Sequence, residues 1–414
     1  MTSKICALVD AYSTASQYPK WFAKHGYSCI HIQSTVEPLP IFRTTFGEPY
    51  LTNIVHQGDI GQTAAEVAKY APVCLIAGVE PGVLLADALS EKLGLLTNGT
   101  KMSLARRDKF EMAEALRRRN IPCARQSKAA SEEEALSWAA SLNQWPVVVK
   151  PLNSAGTDGV TVCHSGEEVR RACRNVLEKQ NIMGLTNHEV LVQEYLRGTE
   201  YVINSVSYRG QHHITDIWRS TKRFVPGATY VYDREELLPF EGQEQSALLG
   251  YLRQVLDALE IQYGPAHSEL MLTDRGPILI ETGARLAGVM NHEAIAHCVG
   301  HSQLELTVAA YVNPTEFLTV AGHPYHMQKR MLTIDFISHF EGIVKDIPML
   351  QEIRQLPSLY DFYIRPTPGA QVHRTVDLFS SPGAITLVSA DDEALLRDYR
   401  RIRELEKTGF VLMP

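Results

Sequence analysis

The chain has 414 residues, of which 45% are hydrophobic and 21% are charged. This composition excludes a disordered or collagen-like chain, and the length predicts about two to three globular domains. Lys and Arg total 40 against 47 Asp and Glu, a net charge of -7, which argues against a surface for nucleic acid or for an anionic membrane.

The cysteines are scattered and form no CxxC pair. Their spacing therefore predicts neither a disulfide framework nor a zinc cluster. No apolar stretch approaches the ~20 residues of a membrane helix, and the N-terminal apolar run is too short for a signal peptide. We expect a cytoplasmic protein.

The first hundred residues alternate apolar runs with helical patterns. The predicted elements are strands over 5–9, 29–32 and 73–77, and helices from Pro19, over 63–70 and up to Leu93. This alternation predicts βαβ units on a parallel sheet, an α/β, Rossmann-like domain over residues 1–100. The GxGxxG fingerprint is missing after the first strand, so no nicotinamide cofactor is expected.

The remainder has an α+β pattern. A first subdomain is predicted over 101–190, from a helix over 104–119, the capping boxes at Ser131 and Ser165, and a strand over 146–151. A second is predicted over 191–325, from strands over 190–195, 201–208 and 214–218, a helix over 243–260, a hairpin over 266–282 and apolar helices over 286–312. Residues 326–414 predict a small α+β domain that ends in a charged helix over 391–407.

The segment from Lys150 to Val160 combines a strand that ends in a lysine with a loop of small residues, Ser154, Ala155 and Gly156 among them. Backbone N–H groups of such a loop can approach phosphate oxygens while the lysine supplies positive charge. A plain hairpin with a solvated lysine is the alternative.

Two glutamates, Glu269 and Glu281, lie on the predicted hairpin. A three-residue loop over 274–276, with Gly276 in the left-handed region, pairs residue 269 with 281 and residue 271 with 279. Opposed carboxylates repel each other, and a hard cation such as magnesium resolves that repulsion. The alternative is a pair of glutamates on a solvated face.

A third segment, Gln193-Glu194-Tyr195-Leu196 followed by Glu200, marks a strand that turns polar near Gly198. In this order, and with Arg106 to Lys109 and Glu281 to Arg285 at the two ends, the three segments resemble the ATP-grasp superfamily. Within it the chain is similar to the L-amino-acid ligases, the dipeptide synthetases of bacilysin-type and dapdiamide-type antibiotics.

The resemblance implies a role for each matching residue. Lys109 and Lys150 would neutralise ATP phosphates beneath the Ser154–Gly156 loop, and Glu269 and Glu281 would bind Mg²⁺. Adenine would meet the backbone of 193–196, and Glu200 would accept hydrogen bonds from the ribose. The substrate and catalytic residues implied are Arg285, Gly288, Glu80, Asp216 and Arg219.

Three of these assignments have alternatives in the sequence. Asp216 and Arg219, expected on an α-ammonium group and on an oxyanion, also fit a strand-end ion pair. Glu80 also fits a carboxylate at a helix N-terminus. Family members often carry Asn where this chain has Gly283, so a second metal ion is less expected here.

The resemblance implies an ATP-grasp ligase that forms a dipeptide through an acyl phosphate and releases ADP and phosphate, with amino acids as substrates and a homodimer as a possible assembly. Another ATP-grasp ligase or carboxylase, and a nucleotide-binding regulatory protein, are the alternatives. His292 and His297 are spaced one residue too far for a zinc motif. The arginine runs at 106–107, 117–119 and 400–401 are expected on solvated helix faces.

Overall fold

The structure is a computed structural model that describes residues 4–43, 49–225 and 230–414. Its strands form a parallel sheet of four strands, an antiparallel sheet of four, an antiparallel sheet of eight and a small sheet of three. The α/β start and the α+β remainder are both confirmed.

The N-terminal sheet is parallel and has the strand order β3-β2-β1-β4. Its elements are β1 (Lys4–Val9), α1 (Tyr18–Lys24), β2 (Tyr27–Gln33), β3 (Asn53–Val55), α2 (Ile60–Ala68), β4 (Cys74–Ala77) and α3 (Val83–Lys92). From Cys6 to Val9 the first strand is fully buried, as expected of a parallel strand covered on both faces. The short strand β3 was not predicted.

The strand order reverses between β1 and β4, which is where open α/β sheets bind ligands. A Cβ at Gly78 would lie 2.4 Å from the carbonyl oxygen of Asp10, so only glycine allows the two strand ends to come this close. A 3-10 helix over Glu80–Gly82 follows β4 directly. The fold therefore places the Glu80 side chain at the carboxyl edge of this sheet.

The four-stranded antiparallel sheet has the order β5-β8-β6-β7, and two helices pack on it. Its region comprises α4 (Lys109–Arg118), β5 (Gln126–Ala129), α5 (Glu132–Leu142), β6 (Val147–Pro151), β7 (Thr161–Cys163), α6 (Gly166–Val176) and β8 (Val190–Glu194). Both capping boxes are confirmed, since Ser131 and Ser165 accept from the N–H groups of Glu134 and Glu168.

The helix expected over 104–119 is broken. The carboxylate of Asp108 accepts hydrogen bonds from the N–H groups of Phe110 and Glu111, so α4 begins at Lys109. Arg106 and Arg107 precede this cap and are 0% and 5% exposed. The expectation that they lie on a solvated helix face is therefore wrong, whereas Arg117–Arg119 are exposed as expected.

The large sheet has the order β13-β12-β9-β10-β11-β14-β18-β16. Its first half and the helices packed on it are β9 (Thr199–Tyr208), β10 (Gln211–Phe224), β11 (Tyr230–Leu237), α7 (Gln243–Ala258), β12 (Gly264–Thr273), β13 (Gly276–Gly283), α8 (His292–Val299), α9 (Gln303–Val312) and α10 (Pro314–Val320). Strand β11 and the extension of β10 beyond residue 218 were not predicted.

The C-terminal elements are β14 (Arg330–Asp335), β15 (Gly342–Asp346), α11 (Met349–Ile353), β16 (Leu359–Ile364), β17 (Gln371–Val372), β18 (Gly383–Ser389), α12 (Asp392–Leu405) and β19 (Val411–Leu412). They surround a core of their own that includes Phe336 and Ile385. Strands β14, β18 and β16 nevertheless continue the large sheet, because β14 pairs with β11. The domain boundary at 325 stays a prediction.

The β12–β13 hairpin pairs Glu269 with Glu281 as predicted, but by a different route. Its loop has two residues, because Thr273 pairs directly with Gly276, whose φ is +94°. Residue 271 accordingly pairs with 278 instead of 279. A bulge at Ile280 shifts the register by one residue and brings the two glutamates opposite each other.

In the described part of the chain, no helix is long and apolar enough to cross a membrane. All seven cysteines are free, in agreement with the expected absence of a disulfide framework.

Candidate active site

Lys109 links the four-stranded and the eight-stranded antiparallel sheets. Its position at the start of α4 directs the ammonium group to two acceptors, the Glu281 carboxylate at 2.8 Å and the carbonyl of Ser154 at 2.9 Å. The backbone N–H of Lys109 also donates to the carbonyl of Leu152. The helix start, the small-residue loop and the glutamate hairpin therefore meet at one lysine.

Lys150 lies at the end of β6 and is buried, with its ammonium group 3.0 Å from the Gln193 side-chain oxygen. Burial and the nearby charge of Lys109 lower the pKa of Lys150 to about 8, although Glu281 and Glu269 raise it. Lys109, Glu281 and Glu269 therefore lie close enough to Lys150 to act on its charge.

Glu269 is an ionised carboxylate in this site. Burial raises its pKa, but the His267 imidazole, 3.7 Å away, and the charges of Lys222 and Lys109 lower it to about 2. Two opposed carboxylates next to cations supply the oxygen ligands that Mg²⁺ prefers. Glu269 and Glu281 therefore fit a magnesium site.

Glu200 forms an ion pair with Lys222, at 2.7 Å and 3.0 Å. Burial raises the pKa of Glu200, although the charge of Lys222 opposes that rise. Lys222 was not identified from the sequence, because it lies on the part of β10 beyond residue 218 that was not predicted. It follows Ser220 by two residues and therefore shares the face of Glu200, which is paired with Ser220.

In the segment from Gln193 to Leu196, the side chains are occupied by the protein itself. Glu194 is buried and accepts hydrogen bonds from the guanidinium groups of Arg125 and Arg275. Leu196 is buried, and Tyr195 is half-buried with Arg197 near its ring. This arrangement fits the expectation that the segment offers backbone groups to adenine.

The small-residue loop is held by Asp158, whose carboxylate accepts from the Ser154 hydroxyl at 2.6 Å and from the N–H of Ile182. Ala155 is half-buried beside Gly156, which has a φ of +62°. A Cβ on Gly156 would lie 2.5 Å from the Phe379 ring, so this loop packs directly on the C-terminal segment.

Arg285 and Arg107 share Glu80 across three parts of the chain. One Glu80 oxygen lies 2.8 Å from Arg285 Nε and the other lies 3.1 Å from Arg107 Nη1. Burial raises the pKa of Glu80, but the charges of Arg107 and Arg285 lower it below its usual value. Glu80 therefore positions the two arginines. This role is neither the direct substrate contact nor the carboxylate at a helix N-terminus considered from the sequence.

Steric crowding explains why position 283 holds a glycine. A Cβ there would lie 2.7 Å from a Glu80 carboxylate oxygen and 3.3 Å from Arg285 Nε. An asparagine at this position would displace the ion pair, so the chain supplies only two carboxylates from the hairpin.

Asp216 and Arg219 do not join the site. Asp216 is fully buried and accepts hydrogen bonds from Asn204, Trp218 and Thr215. Arg219 pairs with Glu236, and it lies on the opposite face of the sheet from Glu200, because Glu200 is paired with the adjacent Ser220. The geometry supports neither substrate contacts nor an Asp216–Arg219 ion pair.

Gly288 lies in an exposed turn three residues after Arg285, and a Cβ there would meet no atom within 4 Å. Of the two histidines considered for zinc, His297 is engaged by another side chain. His297 lies 2.9 Å from the Lys329 ammonium group, and the described residues contain no cluster of three or more metal-ligating side chains that could bind a metal.

Comparisons with known proteins agree with this geometry. Residues 143–293 match the model of the ATP-grasp domain. Dapdiamide A synthase of Enterobacter agglomerans is 33% identical over 97% of this chain and 96% of its own length. An L-amino acid ligase from Bacillus licheniformis has a similar fold, with a TM-score of 0.77, 17% identity and full coverage of both chains. Carboxyaminoimidazole ribonucleotide synthase from Aspergillus clavatus, complexed with ATP, has a TM-score of 0.72 at 11% identity, with 98% of this chain and 99% of that chain covered.

The fold and the cluster of lysines, arginines and paired glutamates define an ATP-grasp enzyme. The chain belongs to the ATP-grasp ligase family that includes dapdiamide A synthase. It is an ATP-dependent ligase that forms a C–N bond of the amide type and uses ATP and Mg²⁺.

Proposed function

We propose that this ligase joins an amino acid, or an amino-acid-like acyl donor, to the amine of a second amino acid. The observation that carries the proposal is the Glu80–Arg285–Arg107 cluster next to Lys109. It offers a cationic site for a carboxylate beside the lysines that face phosphates. The names of dapdiamide A synthase and of the L-amino acid ligase point in the same direction.

The chemistry needs an activated carboxylate, because an oxide ion is too poor a leaving group. A carboxylate oxygen of the donor attacks the γ-phosphorus of ATP, and the bond from that phosphorus to the β–γ bridging oxygen breaks, which gives ADP and an acyl phosphate. The nitrogen lone pair of the acceptor then attacks the acyl carbon. The C–O bond to phosphate breaks, phosphate leaves, and the nitrogen loses one proton to water or to a base.

Each cluster residue has a role in these steps. Lys109 and Lys150 neutralise charge on the phosphates, and Arg285 binds the reacting carboxylate through its planar fork. The Ser154–Gly156 loop covers the site and keeps water away from the acyl phosphate. Glu269 and Glu281 would hold Mg²⁺, which stabilises charge on the phosphate oxygens. Positioning and charge neutralisation together account for most of the rate enhancement.

The nucleotide base would lie against the backbone of residues 193–196. The ribose hydroxyls would donate to Glu200, whose ion pair with Lys222 keeps a carboxylate oxygen in place. Asp216 and Arg219 have no part in this proposal, because both are engaged elsewhere in the protein.

A pairwise substrate screen tests the proposal. Phosphate release from MgATP is measured with the twenty L-amino acids, singly and in pairs, with bicarbonate as a separate arm, and products are identified by mass spectrometry. We expect phosphate release that requires a pair, with one amide product per ADP. Release that requires bicarbonate and an amine would identify a carboxylase. A positive pair is then repeated with Arg285→Lys, which keeps the charge but loses the fork, so ligation should fall more than MgATP affinity.

A cytoplasmic location and a homodimer also belong to this proposal. The seven free cysteines favour a reducing compartment. Light scattering after size-exclusion chromatography tests the dimer, for which a mass of about twice 46.2 kDa is expected.

A further inference from the structure

A cavity of about 1020 Å³ lies between the N-terminal domain, the turn after Arg285 and the C-terminal strands. Residues 13–17 and 40–42 form one wall, residues 289–293 form a second, and strands β14, β16 and β18 form the third. Small-molecule sites typically occupy about 300–1,000 Å³, so the cavity has room for an amino acid beside the group being activated.

Sheet pairing puts this cavity on the same face as the nucleotide site. Glu200 is paired with Ser220, Ser220 with Glu235, Glu235 with Thr333, and Thr333 with Thr386. Directly paired residues of antiparallel strands share a face. Thr333 and Thr386 line the cavity. This row of paired residues therefore runs from Glu200, the expected ribose ligand, to the wall of the cavity.

The small-residue loop also connects the nucleotide site with the cavity. Gly156 packs against the ring of Phe379, and Phe379 lines the cavity. A loop that closes over the phosphates therefore lies against the wall of the cavity.

The cavity lining holds two carboxylates with partners of their own, since Glu293 pairs with Lys20 and Asp361 accepts a hydrogen bond from Asn291. Arg365 is the one arginine or lysine among the lining residues, which all lie in the described part of the chain. Its Nη1 donates to the carbonyls of Phe379 at 2.9 Å and Ser381 at 3.3 Å. These bonds fix one end of the guanidinium, whose planar fork matches a carboxylate.

His292 supplies the second observation. This residue is 2% exposed and lines the cavity, and neither of its ring nitrogens has a hydrogen-bond partner in the structure. Burial lowers the pKa of His292 to about 4, so at neutral pH its imidazole has one donor and one acceptor. Buried polar atoms are nearly always paired, and an orphaned buried imidazole points to an occupant that is absent from the structure.

The reaction itself requires such a site. An amino acid that supplies the amine keeps its α-carboxylate through the reaction, and Arg285 is already needed for the carboxylate that is activated. We propose that the cavity binds the amine-donating amino acid, with Arg365 on its α-carboxylate and His292 as a further hydrogen-bonding partner. The proposal rests on the function proposed above and assigns one of its two substrates to a site.

The test uses the amino-acid pair identified by the screen, and compares the amine-donating acid with its own carboxamide, which lacks the charge. Arg365→Gln should raise the KM for this acid at least 10-fold, leave the KM values for MgATP and for the acyl donor unchanged, and remove the preference for acid over carboxamide. Calorimetric titration of the acid should show the same loss of affinity. Arg374→Gln, an exposed arginine outside the cavity, is the matched control and should behave as wild type.

His292→Leu separates ligand binding from folding. If an occupant satisfies the imidazole, this variant should raise the KM for the same acid while its urea midpoint stays at or above that of wild type, because an unpaired buried polar group is removed. An unchanged KM in both Arg365→Gln and His292→Leu, in an enzyme that ligates normally, would overturn the cavity assignment alone. A raised KM for the acyl donor instead would assign the cavity to the other substrate and equally overturn it. A wild-type protein that makes no amide from any pair would contradict the proposed function instead.

Discussion

Ion pairs neutralise cations of the active site. Lys109 is paired with Glu281, Lys222 with Glu200, and Arg285 with Glu80. We expect phosphate to replace Glu281 as the partner of Lys109 when MgATP binds, which would free Glu281 for the metal. An exchange of this kind keeps buried charges compensated in both states, which is what burial of charge demands.

Replacement of one hairpin glutamate tests the metal assignment. Glu281→Gln keeps the shape and a hydrogen-bond acceptor for Lys109 but removes a metal ligand and a charge, so kcat should fall by at least about 100-fold. Circular dichroism should show an unchanged fold. Glu66→Gln, at a surface carboxylate paired with Lys69, serves as the control. Near wild-type turnover of Glu281→Gln at limiting magnesium would show that the metal lies elsewhere.

The lowered pKa of Lys150 gives MgATP binding a pH dependence. The lysine is charged below its pKa of about 8 and attracts phosphates, and it loses this charge as the pH rises through 8. MgATP affinity should therefore be flat below pH 7 and fall above pH 8, by up to about tenfold per pH unit. Equilibrium titrations from pH 6.5 to 9.5 measure this, and Lys150→Arg should abolish the fall. A flat profile in wild type would contradict the phosphate contact.

At the scale of elements, local patterns predicted strands and helices well but not their long-range partners. Capping residues and apolar runs predicted the N-terminal βαβ units and the starts of α5 and α6. The pairing of Glu269 with Glu281 was predicted correctly, but from a three-residue loop. The loop has two residues, and a bulge restores the pairing. The burial of Arg107 depends on Glu80, which lies 27 residues away in the 3-10 helix after β4. Nothing in a run of arginines indicates that partner.

The small-residue loop depends on glycine at 156 for two separable reasons. Gly156→Ala imposes a left-handed conformation on a residue with a Cβ and also pushes that Cβ into Phe379, whereas Gly210→Ala, at a φ of +75° with open space around it, imposes only the first cost. Gly210→Ala should lose about 1–2 kcal/mol of unfolding free energy, and Gly156→Ala should lose more. Only Gly156→Ala should lose kcat, which steady-state kinetics beside urea denaturation would measure. Equal kcat values for the two variants would show that the contact with Phe379 is not needed.

For the whole molecule, the large sheet joins the active site to the C-terminal region. Strand β11 pairs with β14, and Asp233 on β11 accepts hydrogen bonds from Arg403 and Tyr399 of α12. No local sequence pattern indicates that residues 330–335 extend the large sheet.

The contact between Asp233 and Arg403 predicts how the free energy of unfolding of the full chain responds to mutation. Asp233→Asn removes the charge that pairs with Arg403 and Arg223 and leaves Arg403 with Glu406 as its charged partner, so the free energy of unfolding should fall by about 1–3 kcal/mol. Glu352→Gln breaks the exposed pair with Arg401 and should cost about 0–1 kcal/mol. Urea denaturation of both variants measures the difference. Similar losses in the two would mean that Asp233 does not connect α12 to the large sheet.

The central claim is that the enzyme activates a carboxylate as an acyl phosphate. The most direct measurement uses an acyl donor with ¹⁸O in both carboxylate oxygens, incubated with MgATP and the amine-donating amino acid, followed by mass spectrometry of all products. Attack of a carboxylate oxygen on the γ-phosphorus predicts one ¹⁸O in the released phosphate, one ¹⁸O in the amide and none in ADP. Label in AMP, or phosphate that contains only unlabelled oxygen while amide is formed, would contradict the acyl-phosphate mechanism.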